Sequence, residues 1–349
     1  MNSRPGPIRA LRRRCDGEVP TAPPGWGRID SSTLSIMEVC PRDGWQNLPD
    51  YLPVLTKLRY VEAMLDAGVG YMQLTAFVNP KAVPQMKDAG ELTRLVLERY
   101  PGRKFCALIP NFQGARQAFE CGLREVSCVM SVSESHNRAN INRTHEESLA
   151  ALADIRDKLP ELTVIPALAT AFGCPFEGEQ SRQKVLDLAG RLVEMGFNAL
   201  ELADTIGVGD PVRVAGLFSA LKMAFPEVTL MAHMHDTRNN GIANSFAALI
   251  NGAEVIHTAL GGLGGCPFAP GASGNTATED LVWLLERGGF QTGLDYQKLL
   301  ETAQAMKREI PGNYSGHQIT LERDAFSEAL SGGADQTRIK EMNNGQNPG

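Results

Sequence analysis

The chemistry-bearing residues of this 349-residue chain gather at a few points. The densest is "LMAHMHD", Leu230 to Asp236, where His233 and His235 stand two apart at the end of an apolar run. Along a strand, side chains at i and i+2 share a face. Both imidazoles are therefore expected to offer a neutral nitrogen to one cation. A second point is "EVCPRDG", which holds Glu38, Arg42 and Asp43. Asp43, expected across the barrel, could add a charged oxygen, and Asn275 a neutral one. Two nitrogens with oxygens and no thiolate suit Mg²⁺ or Mn²⁺ in an open octahedral site, and Zn²⁺ fits the same ligands. The competing reading is a pair of core histidines hydrogen-bonded to their neighbours. Arg42 suits the stabilisation of a developing enolate oxygen; otherwise it is the partner of Asp43 or Glu38 in a structural ion pair. Cys266 lies in a loop with six glycines between Gly261 and Gly274. Such a loop could close over a substrate and bring a thiol to a proton transfer. An inert thiol, or a loop that only cradles phosphate, is the alternative. His136 and Asn137 offer hydrogen bonds to a substrate or to their own loop. His257 falls mid-strand and reads as a core histidine without chemistry.

These residues need elements to hold them. From Ser35 onward, short β-branched runs alternate with longer segments of helical period. The expected strands are 34–39, 71–77, 104–109, 125–132, 162–171, 199–205, 229–235 and 254–260. Helical segments such as "VLTKLRYVEAMLDAG" and "SRQKVLDLAGRLVEMG" separate them and end in Gly or Pro. Eight strand–helix units over roughly 260 residues predict an α/β fold, a TIM (β/α)8 barrel. The glycine fingerprint of a doubly wound sheet is absent after the first strand. In a barrel, chemistry sits at the C-terminal ends of the strands, where Glu38, Arg42, Gln73, Asp204, His233 and Cys266 all fall.

The barrel is expected over residues 34–290. Residues 291–349 read as a C-terminal helical extension with a frayed tail, covering the barrel or meeting another subunit. Residues 1–33, Arg- and Pro-rich, read as a disordered extension; an organelle-targeting leader is the alternative. Composition excludes other classes. Hydrophobic residues at 43% and charged residues at 21% suit a globular core. No apolar run approaches the ~18 residues of a membrane span. The net charge of -6, with no long basic block in the body of the chain, argues against nucleic acid. Seven scattered cysteines without C-x-x-C spacing suit a reduced, intracellular protein. The expected location is cytoplasmic, or the mitochondrial matrix if the leader is a transit peptide.

Seven segments carry a family resemblance: "VCPRDGWQN", "FVNPKAVPQM", "NINRTHEES", "FGCPFEGE", "DTIGVGDP", "HMHDT" and "GLGGCPFAPGASGNTATEDLV", in order from about residue 35 to 300. They resemble the 3-hydroxy-3-methylglutaryl-CoA lyases, metal-dependent Claisen-type lyases on TIM barrels. The resemblance implies that Asp43, His233, His235 and Asn275 bind a divalent metal. It implies that Arg42 steadies the enolate, that Cys266 handles the proton, and that Glu38 and Asp204 support the site. It implies an acyl-CoA substrate, no nucleic-acid or membrane partner, and a homodimer. The reaction would yield acetyl-CoA and a keto acid, acetoacetate in the case of 3-hydroxy-3-methylglutaryl-CoA. Related aldolases and condensing synthases share the H-x-H pair, and a catalytically silent homologue would keep the ligands. The chain departs from the family at Gln73, where a glutamate is usual, and at Trp45, Leu48, Pro49 and Ala76. These positions are expected to face the substrate and to alter the acyl group it carries.

Overall fold

The computed structural model describes residues 34–265 and 274–321. Eight parallel strands close into a barrel: β1 (Ser35–Glu38), β2 (Tyr71–Ala76), β3 (Lys104–Ile109), β4 (Glu125–Ser131), β5 (Thr163–Ala169), β6 (Ala199–Asp204), β7 (Thr229–Met234) and β8 (Ala253–Thr258). Each strand pairs with its sequence neighbours, and β1 closes the ring against β8, with Glu38 opposite Thr258. The eight expected runs lie on these strands, with ends one or two residues further out because the last residues leave the ladder for the loops. Every residue of β2 and of β6 is buried. A strand packed inside the barrel and covered by helices outside has no solvent face, so its sequence runs apolar rather than alternating.

The helices start where side chains can satisfy their first N–H groups. Thr144 and Glu147 form a reciprocal capping box on α5 (His145–Lys158). Asp210 accepts from Val212 and Arg213 to start α7 (Pro211–Ala224), with Pro211 in the first turn. Val214, Leu217, Phe218 and Leu221 of α7 are buried, the i, i+3, i+4, i+7 stripe of a helix laid on a sheet.

Three features lie beyond the expected pattern. A π-helical turn, Cys40–Gly44, follows β1. A two-stranded hairpin pairs Gly173–Cys174 with Gly178–Glu179. The third is a return of the chain after the barrel. Helix α10 (Tyr296–Glu309) packs against α1 (Val54–Asp66) and α9 (Thr278–Arg287). Residues 310–320 then run back to the turn that follows β8. There Gly316 N donates to Gly261 O at 3.0 Å, and Ser315 Oγ donates to Gly262 O and Asn275 O, each at 3.1 Å. Gly261 and Gly262 have φ of 71° and 63°, and a Cβ on either would strike Tyr314 or Ser315. The Asp280 carboxylate anchors this strap by accepting from the backbone of His317 and Gln318, both at 2.8 Å. The N-terminal extension, Cys266 and the second C-terminal helix expected from the sequence lie outside the described residues. Among the described residues no helix is long and apolar enough to cross a membrane.

Asp280→Ala removes a charged acceptor from two N–H groups. It is expected to cost about 2–3 kcal/mol and to lower the thermal midpoint by several degrees, measured by circular dichroism. An unchanged midpoint would show that the strap is not held by Asp280.

Candidate active site

The C-terminal mouth of the barrel brings the expected residues together. His233 is on β7, and His235 lies one residue beyond it, bridged to Asn275. Their Nε2 atoms face each other at 3.0 Å. Asp43 Oδ2 lies 3.7 Å from each. All three side chains are buried, and among the described residues Asp43 Oδ2 has no hydrogen-bond partner. One part of the expectation is corrected. Asp43 does not come from across the barrel: only β8 separates β1 from β7. Asp43 reaches the histidines because the π-helical turn carries it inward over β8.

That turn also aims Arg42. Its Nη1 donates to Asp43 Oδ1 and its Nε to Gln73 Oε1. Gln46 Nε2 adds a bond to Asp43 Oδ1 at 2.7 Å. Burial alone would push the Asp43 carboxyl up, but the Arg42 charge together with the neighbouring His235 and His233 holds Asp43 well below the usual carboxylate range. Burial, reinforced by the neighbouring His235, keeps His233 neutral, with its pKa well below the ordinary value. An ionised carboxylate oxygen without a partner and two imidazole nitrogens therefore converge on one point. Such a donor set fits a divalent cation that takes mixed nitrogen and oxygen ligands.

The mouth opens into a cavity of about 410 Å³, lined among others by Arg42, Asp43, His136, Glu201, His233, His235 and Gly265. A larger groove of about 540 Å³ between α1 and α10 is lined by residues such as Arg59, Lys298, Glu301 and Glu309 and receives no strand end. The active-site cavity is the one the barrel strands address, and Gly265 puts the start of the cysteine loop at its edge. His136 lines it, with Nδ1 at 2.7 Å from Ser131 Oγ. Asn137 does not: it bonds Ser131 N, Ser148 Oγ and the backbone at Arg143 and Thr144, so of its two expected roles it fills the loop one.

The supporting residues stitch loops together. Glu38 accepts from Cys40 N at 2.8 Å, Leu260 N at 3.0 Å and Thr278 Oγ1 at 2.7 Å, tying β1 to the turn after β8. Asp204 accepts from Val208 N at 3.0 Å and Gly209 N at 2.8 Å and shapes the loop after β6. Asn275 Nδ2 donates to Leu263 O at 3.2 Å. Of the family departures, only Gln73 reaches the site, through Arg42. Trp45, Leu48 and Ala76 are buried, Pro49 is exposed, and none of the four lines the cavity, which corrects the expectation that they face substrate. The π-helical turn rotates residue 45 away from the mouth and into the apolar core.

Two residues gain a place that the sequence reading did not give them. His257 and His233 are register partners on β8 and β7, and their Nδ1 atoms stand 3.3 Å apart. Glu201 Oε1 lies 3.7 Å from His257 Nδ1, and Glu201 Oε2 accepts from Ser127 Oγ at 2.9 Å. A ligand histidine is oriented by what its other nitrogen meets, and here that is His257, backed by Glu201. Its level with His233 comes from the register between the two strands, which neither strand shows by itself.

A metal-competent carboxylate–imidazole centre at the C-terminal mouth of a (β/α)8 barrel defines a TIM-barrel enzyme. The chain belongs to the HMGL-like family, whose model matches residues 33–306. A hydroxymethylglutaryl-CoA lyase of Bacillus subtilis is 39% identical over 279 residues, 79% of this chain and 93% of that protein. An (R)-citramalyl-CoA lyase of Chloroflexus aurantiacus is 41% identical over 278 residues, 76% of this chain and 88% of that protein. The structure of an HMG-CoA lyase from Acinetobacter baumannii, solved with coenzyme A and 3-methylmalate, matches with a TM-score of 0.79 at 34% identity, covering 84% of this chain and 97% of that one. The resemblance read from the motifs holds.

Two buried carboxyls give the protein a pH signature. Burial raises Glu38 to about 7, and burial with the nearby Asp280 raises Glu279 to about 8. Both folded-state values lie above those of the unfolded chain, so their contribution to stability is full at acid pH and is lost as pH rises through about 7 and 8. The thermal midpoint of the metal-free protein is expected to fall by several degrees between pH 5.5 and 8.5, and Glu279→Gln is expected to flatten that fall. A midpoint that climbs over this range in both proteins would contradict it.

Proposed function

We propose that the protein breaks the carbon–carbon bond between C2 and C3 of a branched 3-hydroxyacyl-CoA, giving acetyl-CoA and a carbonyl fragment. The observation that carries this reading is the meeting of Asp43, His233 and His235 beside Arg42 on the floor of the barrel cavity. The protein is a carbon–carbon lyase of the kind its relatives are, acting on CoA thioesters. A divalent ion, Mg²⁺ or Mn²⁺, held by Asp43, His233, His235 and Asn275, would polarise the C3 hydroxyl and make its proton easier to lose.

The chain's own residues account for the remaining demands. As the C3 hydroxyl passes its proton to a base in the cavity, C3 becomes a carbonyl carbon and the C2–C3 electron pair passes to C2. The charge collects on the thioester oxygen, and Arg42 is the cation placed to stabilise it. Arg42 keeps its aim because Asp43 and Gln73 hold two of its donors. C2 then takes a proton, and we assign that delivery to Cys266, whose loop begins at Gly265 on the cavity edge. Glu38 and Asp204 act as positioning residues, fixing the loops after β1 and β6. Gln73, neutral where the family has an acid, leaves Arg42 with Asp43 as its one carboxylate partner among the described residues, so Arg42 presents more positive charge to the substrate.

Purified protein with 3-hydroxy-3-methylglutaryl-CoA and Mg²⁺ or Mn²⁺, under reducing conditions, is expected to release acetyl-CoA, detected by mass. A chelator should abolish the release. His235→Ala should weaken Mn²⁺ binding, measured by calorimetry, by more than about a hundredfold. Arg42→Met should lower kcat by roughly 10²–10³-fold while Mn²⁺ still binds. Release that persists in the presence of chelator would sink the metal-dependent reading.

A further inference from the structure

The wall of the cavity facing the metal-competent centre bears on which acyl group is cleaved. Leu108 on β3 and Val129 on β4 are half-buried barrel residues that line the cavity. Val129 is in register with Ala167 of β5, and Ala167 with Glu201 of β6. Ala167, Ala169 and Ala203 present only a methyl group each, and this leaves room beneath the mouth. The strand residues of this wall are therefore apolar from β3 to β5 and end at a carboxylate on β6, while His136, Asn140 and Asn79 line the cavity from the segments after β4 and β2.

Charge points the same way. Among the described lining residues Arg42 is the one permanent cation, and two of its donors are engaged by Gln73 and Asp43. Arg143 is turned to the Pro110 carbonyl at 2.9 Å and does not line the cavity. A terminal carboxylate laid against Leu108 and Val129 would lose water without gaining a cation, and would lie on the side of Glu201. An uncharged hydrocarbon loses nothing polar there and gains by burial.

We infer that this wall receives an apolar branch on C3 of the substrate, so that the fragment released with acetyl-CoA is a ketone bearing a hydrocarbon chain. The inference rests on the lyase reading above. The bond broken is the same C2–C3 bond, its electron pair goes to C2, the C3 hydroxyl gives up one proton and C2 takes one, so no other reactant is needed. Leu108, Val129 and Ala167 are then specificity-determining residues.

The test compares kcat/KM over two groups of substrates with Mn²⁺ present. The anionic group is 3-hydroxy-3-methylglutaryl-CoA and (R)-citramalyl-CoA. The apolar group is 3-hydroxy-3-methylbutanoyl-CoA, 3-hydroxy-3-methylhexanoyl-CoA and 3-hydroxy-3-methyloctanoyl-CoA. The expected result is a rise of up to about fourfold per added methylene, with the octanoyl compound ahead of both anions. Ala167→Leu should lower the octanoyl-to-butanoyl ratio at least tenfold. Leu108→Arg, at a half-buried site that tolerates a long side chain, should shift preference toward the anions. An anionic substrate with the highest kcat/KM in the unaltered protein overturns the inference and leaves the lyase reading standing. Cleavage of no member of either group, with Mn²⁺ bound, overturns both.

Discussion

A carboxylate kept ionised inside a protein is the constraint on which this site turns. Asp43 is buried beside two imidazoles, of which burial keeps His233 neutral, so the main charge that opposes its burial must come from elsewhere. Arg42 does that work from the adjacent position in the chain. Consecutive residues on a strand would point to opposite faces. The π-helical turn abolishes that alternation and lets the guanidinium grip the carboxylate through Oδ1 while Oδ2 stays open toward the histidines. Remove the turn and the two charges separate; the carboxylate would then lose its main compensation for burial.

Around that pair the barrel supplies position rather than chemistry. β7 sets the two histidines by simple alternation, and the chain beyond it fixes His235 against Asn275. Glu38, Asp204 and Asp280 spend their carboxylates on backbone N–H groups of the loops, not on the cavity. In this division Glu38, Asp204 and Asp280 tie loops while Asp43 and Glu201 face the cavity from its two sides, which lets several acids share one mouth.

Much of this was legible in the sequence, for reasons that can be named. The barrel showed itself because parallel strands buried on both faces leave unmistakable apolar runs, eight of them at regular spacing. The H-x-H pair showed itself because strand geometry has period two. What stayed hidden depends on backbone that follows no period. The π-helical turn gave no pattern to read, and so Trp45 was expected at the substrate when it packs in the core. His257 looked like filler because its meaning lies in a register between β7 and β8, which no single strand encodes. Glu201 likewise acquires a role only once β4, β5 and β6 stand side by side.

The strap from residue 310 to 320 has a consequence for how the protein is born. The barrel ring is sealed by its first and last strands, and the turn after the last strand is braced by Ser315 and Gly316. Residues 42 and 43 leave the ribosome early, yet the histidines they serve emerge some 190 positions later and the brace later still. Until β8 is made, one edge of β1 lacks the strand that seals the ring, and until β7 is made Asp43 lacks its two histidines. Closure must therefore wait for segments far along the chain from the turn whose charges it completes.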